Sequence, residues 1–132
     1  MFNLILNDME KMTIQDVEVV VSVLTEDQKQ LLKDTIKHGL WGDSSMEFLD
    51  ENDNVECVMM NGYCTNDAKL AGHFQGRQIS AMFRSIYRKL CPQCNNRVGR
   101  VISHCSDWWG DGSGDMLFIR EEACEAFEQW AK

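Results

Sequence analysis

The chain is short of several things that define common protein classes. It has no long apolar run: the longest, Val19 to Leu24, is interrupted by Ser22 and falls well below the roughly 20 residues that span a bilayer. No membrane partner is therefore expected. Residues Met1 to Met12 lack a basic stretch ahead of an apolar run and lack a small-residue cleavage site, so no secretory leader is expected. There is no phosphate-binding loop, no dinucleotide fingerprint and no nucleophile elbow. The three histidines, His38, His73 and His104, fall in separate predicted elements, so catalysis is not expected. The run Asp50-Glu51-Asn52-Asp53-Asn54 has neither the sixth-position glycine nor the twelfth-position glutamate of a calcium loop. Positive charge is scarce as well: 13 Lys/Arg face 21 Asp/Glu, for a net charge of −8.

What remains is an ordinary globular composition, 44% hydrophobic and 26% charged over 132 residues, enough for one domain with a real core and no need of disulfides. Six cysteines and eight methionines without a leader fit a reduced, cytoplasmic setting. The charge is also unevenly spread. Thr65 to Cys105 holds seven Lys/Arg and one acid, a net of +6, whereas the remainder holds six against twenty, a net of −14. A basic island in an acidic body can meet phosphates locally while the body repels them elsewhere. It can equally pair with the body's own acids.

Within that island, Thr65 to Leu90 has the pattern of a helix, a turn and a second helix. Thr65 is placed to cap a first helix bearing Ala68, Leu70 and Ala71. Gly72 and Gly76 bracket a break where the chain can turn. From about Arg77, Ile79, Phe83, Ile86 and Leu90 recur at helical spacing as one apolar stripe. Arg77, Ala81, Arg84 and Arg88 repeat the spacing two residues out of phase, setting three arginines on the opposite face. Arg97 to His104 then reads as a strand, Gly110 to Gly114 as a glycine-rich tip, Asp115 to Ile119 as a second strand and Glu121 to Ala131 as a final helix.

This order resembles the winged-helix branch of the helix-turn-helix proteins. The resemblance implies an α+β, mainly helical fold: a winged helix-turn-helix with a C-terminal β-hairpin wing and a closing helix. It also implies a DNA-binding regulator whose helix at 77–90 enters the major groove of double-stranded DNA, with Arg77, Gln78, Ser80, Arg84 and Arg88 toward bases and phosphates and Arg97 and Arg100 toward the backbone near the wing. Homodimerisation through the terminal elements is the corresponding expectation.

The rest of the chain is divided into an N-terminal extension, residues 1–24, and the winged-helix domain, residues 25–132. Phe2, Leu4, Ile5 and Met9 can dock on the body or remain a loose end. Thr13 to Leu24 is rich in valine, which favours strand, yet Ile14, Val17, Val21 and Leu24 keep helical spacing; a helix is expected. Thr25 with Gln28 forms a capping box for a helix burying Leu31, Leu32, Thr35 and Ile36, ending near Gly39. Residues 43–63 form an acidic, loop-rich insertion, with an edge strand at 55–60. Ala123, Phe127 and Trp130 are the inward stripe of the closing helix, with Glu121, Glu122, Glu125 and Glu128 largely outside.

A second function class competes with DNA binding. Asp50, Glu51 and Asp53, together with Trp108 and Trp109 beside the hairpin tip, could contact a basic protein surface of a nucleic-acid-binding complex. The chain would then be a small acidic inhibitor of a host nucleic-acid machine, of the phage anti-defence or anti-CRISPR type, built on a winged-helix scaffold. The two tryptophans would point to opposite faces of a strand, one inward and one free to anchor a partner. No cofactor is expected beyond a zinc ion. Cys91-Pro92-Gln93-Cys94 is half of a tetrahedral zinc set, and Cys57 and Cys64 are the candidate second half. His104 and Cys105 are less suitable: at about 3.3 Å per residue, a strand beginning at 97 carries them roughly 25 Å from its start. A redox role for the pair is disfavoured, because thioredoxin-like proteins set that motif where a strand enters a helix.

Overall fold

The computed structural model describes residues 11–38, 41–49, 52–65, 76–94, 101–106, 110 and 114–132. These residues build an α+β fold with four helices and one curled, four-stranded antiparallel sheet. The helices are α1 (Ile14–Val21), α2 (Glu26–His38), α3 (Gly76–Cys94) and α4 (Glu121–Ala131); the strands are β1 (Trp41–Leu49), β2 (Val55–Cys64), β3 (Ile102–Cys105) and β4 (Met116–Arg120). In space the strands run β1-β2-β4-β3.

Local chemistry explains the helix starts. Thr13 accepts from the backbone of Asp16, and Asp16 accepts from the backbone of Thr13. This box starts a helix in a stretch whose valines alone favour strand. Val17, Val20 and Val21 are buried in the same core as α2, α3 and α4, so residues 14–24, read above as part of an extension, are built into the domain. Thr25 and Gln28 form the reciprocal box expected for α2, at 3.0 and 3.2 Å. Leu31, Leu32, Thr35 and Ile36 are buried as expected. In α3 the apolar stripe of Ile79, Phe83, Ile86 and Leu90 continues one turn further to Cys94, and all five are buried. Pro92 sits in this last turn on the exposed side, where water can satisfy the carbonyl that its missing N–H leaves without a donor.

The helices cover one face of the sheet. Tyr63, Ile102, Leu117 and Ile119 join their core, along with Ala123 and Phe127 of α4. The opposite face buries a second, smaller cluster of Val58, Met60, Cys64, Met116 and Phe118, with Met46 and Phe48 packed against it. Gly62 sits in the middle of that face, opposite Phe118 in the register. A side chain there would meet Met116 Cε at 2.5 Å and Phe118 Cε1 at 2.8 Å, so the absence of a Cβ lets these side chains close over the strand.

Several expectations change here. The insertion at 43–63 is no loop. It is a hairpin in which β1 pairs with β2 over nine residue pairs, from Trp41 with Tyr63 to Leu49 with Val55. Asp43, Ser45 and Glu47 have low strand propensity, but pairing and the partial burial of Met46 and Phe48 against the second cluster override it. Because β1 takes the edge, β2 lies inside the sheet, where an edge strand was expected. Of the strands read at 97–104 and 115–119, the first has residues 97–100 outside the described residues and continues as β3 from Ile102 to Cys105, and the second is displaced by one residue, to Met116–Arg120. Their hairpin does not stand apart, because β2 pairs with the free side of β4. Finally, the Thr65 hydroxyl accepts from the Asp115 backbone N–H at 3.0 Å and donates to the Asp115 carbonyl. The helix expected over 65–71 and its turn fall outside the described residues.

Candidate nucleic-acid interface

The basic helix α3 is held by three devices. Its stripe from Ile79 to Cys94 is sunk in the core. Gln28 of α2 reaches across to it, donating from Nε2 to Ser85 Oγ at 3.0 Å and accepting at Oε1 from Lys89 Nζ at 2.8 Å. On the sheet side, the His104 ring stacks on Tyr87 at 5.2 Å and tilts against Phe83 at 6.0 Å. His104 Nε2 in turn lies 3.2 Å from Asp115 Oδ2, with both side chains largely buried. This contact ties α3 and β3 to the segment entering β4, and through Thr65 to the end of β2. With these elements around it, the His104–Asp115 pair acts as a structural clamp.

Held this way, α3 presents Ala81, Arg84, Arg88 and Pro92 to solvent. Arg84 and Arg88, one turn and about 6 Å of rise apart, lie on the outward face as the periodicity predicts. Ser80 is half-buried beside them. Arg77 and Gln78 belong to the first turn of α3, but their side chains lie outside the described residues, as do Arg97, Arg100, Trp108, Trp109, Asp50 and Glu51 entirely. Asp53 is exposed at the β1–β2 tip, in a left-handed conformation with φ of 61°. Lys89, not singled out from the sequence, is engaged with Gln28 rather than pointed outward. That bond joins residues 61 apart in the chain, and no local pattern signals it.

The four cysteines considered as zinc ligands occupy three environments. Cys91 and Cys94 share the last turn of α3. Cys94 is buried in the helical core, and burial, with the neighbouring Cys91 charge adding to it, raises its thiol above the ordinary range. Cys57 is exposed on the hairpin, while Cys64, on the opposite face of β2, is buried in the second cluster. Among the described residues, no three His, Cys, Asp or Glu side chains gather in a metal-holding group. Cys124 is also a protonated thiol: burial pushes it up from 9.0 to about 11. Beside it, the Tyr63 hydroxyl donates to Glu128 Oε1 at 2.6 Å, and burial followed by that bond holds the phenol in its neutral form.

Charge is segregated across the sheet. The β1–β2 segment from Trp41 to Cys64 carries six acids (Asp43, Glu47, Asp50, Glu51, Asp53 and Glu56) and no lysine or arginine. It includes the β1 edge of the sheet; α3 packs on β3, at the other edge. The hairpin segment by itself thus carries a local charge of −6. Among the described residues, no helix is long and apolar enough to cross a membrane. No family model, curated protein or solved structure matches the chain.

Proposed function

We propose that the chain binds double-stranded DNA through the outward face of α3, as a regulator built on a winged-helix plan. The observation that carries this reading is the exposed Arg84–Arg88 pair on a rigidly anchored helix at the sheet edge opposite the acidic hairpin. The element order supports it too: α2, then the β1–β2 hairpin, then a span ending in α3, then the β3–β4 hairpin and α4, which follows the order drawn from the sequence with β1 as an added strand. On this plan α3 is the recognition helix and β3–β4 the wing. Arg84 and Arg88 neutralise phosphates or reach base edges, with Arg77 and Gln78 leading at the N-terminal end of the helix. The acidic hairpin turns the molecule, because phosphates repel it and so favour approach from the α3 side.

The test is binding to mixed-sequence duplex DNA between about 50 and 200 mM salt, where each phosphate contact adds close to one unit to the logarithmic salt slope. Binding at low salt, with the slope reduced by about two in the Arg84→Glu, Arg88→Glu double variant, supports the reading. Absence of binding at the lowest salt, or a slope unchanged by the double variant, overturns it.

A further inference from the structure

The sheet face that the helices cover does not end where the helices do. Along β2 the alternate residues Tyr63, Asn61, Met59, Cys57 and Val55 share that face. Their exposure climbs from 2% at Tyr63 to 47% at Met59 and 61% at Val55. Leu49, paired with Val55 across the hairpin, is 63% exposed. Of the five large apolar side chains exposed among the described residues, these three lie on this one face; the other two, Val19 and Val23, lie in or just after α1. The core face of the sheet therefore continues into solvent beyond the helical layer.

The two rows of this open face differ in chemistry. The β2 row is apolar, with Val55, Cys57 and Met59. The β1 row opposite it carries Asp43 and Glu47, with Ser45 between them and Leu49 at the end. All four are exposed. At the inner end, where the helices begin, Glu128 of α4 holds the Tyr63 hydroxyl and adds a third carboxylate. From Met59 to Val55 the apolar row runs about 14 Å, the length of roughly nine helical residues.

We propose that this open face docks a basic amphipathic helix of a partner protein. The partner's apolar stripe would lie on Leu49, Val55 and Met59, and its Lys/Arg row on Asp43 and Glu47, extending the helical layer already on the same face. Charge selects this occupant. Six acids and no cation in the hairpin segment repel duplex DNA and an anionic lipid surface, and they repel the same hairpin of a second copy. A cationic helix is complementary in both rows. The inference is independent of the DNA reading, which uses the opposite edge of the sheet.

The probe is a synthetic amphipathic Leu/Lys helical peptide, with a Leu/Glu peptide of the same pattern as its control. Binding is followed by calorimetry and by amide chemical shifts of the full chain. The Leu/Lys peptide is expected to shift Asp43 to Met59, and the Leu/Glu peptide to leave them unmoved. Asp43→Lys with Glu47→Lys, and separately Val55→Ser with Met59→Ser, should each weaken binding by about tenfold or more. Reversing two acids on the outer side of α4, Glu121→Lys with Glu125→Lys, should not. All these positions are exposed, and the amide spectrum reports whether each variant stays folded. The inference is overturned if the α4 reversal weakens binding as much as the hairpin reversal, or if the serine variant leaves affinity unchanged, since the attraction is then only net charge. It is equally overturned if the shifts map elsewhere, or if sedimentation shows the hairpin face occupied by a second copy. DNA binding by the hairpin variants reports the α3 reading separately.

Discussion

Gly62 shows how one residue decides the shape of a sheet. It stands opposite Phe118, and a Cβ at this point would lie 2.8 Å from the Phe118 ring and 2.5 Å from Met116 Cε. The methionine end can swing away, but the phenyl ring, buried and held on the strand, cannot easily do so. Gly62→Ala is therefore expected to destabilise the fold by about 1–3 kcal/mol, the usual cost of overpacking. Urea denaturation measures it, and an unchanged midpoint would show that Phe118 yields freely. Nothing in the sequence marks this glycine. Read alone, it is one of nine, and its role exists only because β2 and β4, more than fifty residues apart, are neighbours. Thr65 makes the same point. Its hydroxyl pairs with the Asp115 backbone, which chain order gives no reason to bring near.

At the scale of elements, the helices were the most legible part. Periodicity located the buried stripes of α2 and α3, and the Thr25–Gln28 capping box marked where α2 begins, because these signals are written within a few residues of each other. Gln28 belongs to both the local and the non-local account: it completes the α2 capping box and bridges to Ser85 and Lys89 of α3. Gln28→Ala should cost about 1–2 kcal/mol from the lost cap and cross-helix bonds. On the DNA reading it should also lower affinity, by loosening the helix that presents Arg84 and Arg88. Thermal unfolding alongside DNA titration checks both, and a stability loss smaller than a few tenths of a kcal/mol would refute the anchoring role. Strand β1 was the least legible element. Its acids and serines read as a surface loop, and only the nine-pair ladder with β2 makes it a strand. The same misreading hid the open face of the hairpin, since which side chains share a face depends on register.

For the whole molecule, three buried weak acids among the described residues contribute to the response to high pH. Tyr63, Cys94 and Cys124 all titrate above their ordinary values in the folded chain, chiefly through burial. Each is neutral when folded and ionises more easily once unfolded. Their contribution to stability is therefore complete below about pH 8, where an unfolded thiol is still mostly protonated, and declines as the pH rises through the unfolded toward the folded values. Cys124, raised from 9.0 to about 11, accounts for on the order of 2 kcal/mol of that decline. The urea midpoint should fall between about pH 9 and 11, and less so in Cys124→Ala than in the parent; a flat profile would contradict the burial of these groups.

The sequence by itself determined the helices, their buried stripes, the outward arginines of α3 and the uneven distribution of charge, because each of these is a matter of residue type and short-range spacing. Tertiary structure decided the four-strand order, the burial of both sheet faces around Gly62, the separate environments of the cysteines and the placement of the acidic hairpin at the edge opposite α3. These depend on which distant segments pair and in what register. A change of one residue in a strand's pairing exchanges its inner and outer faces, and that choice is made by the packing of the whole core.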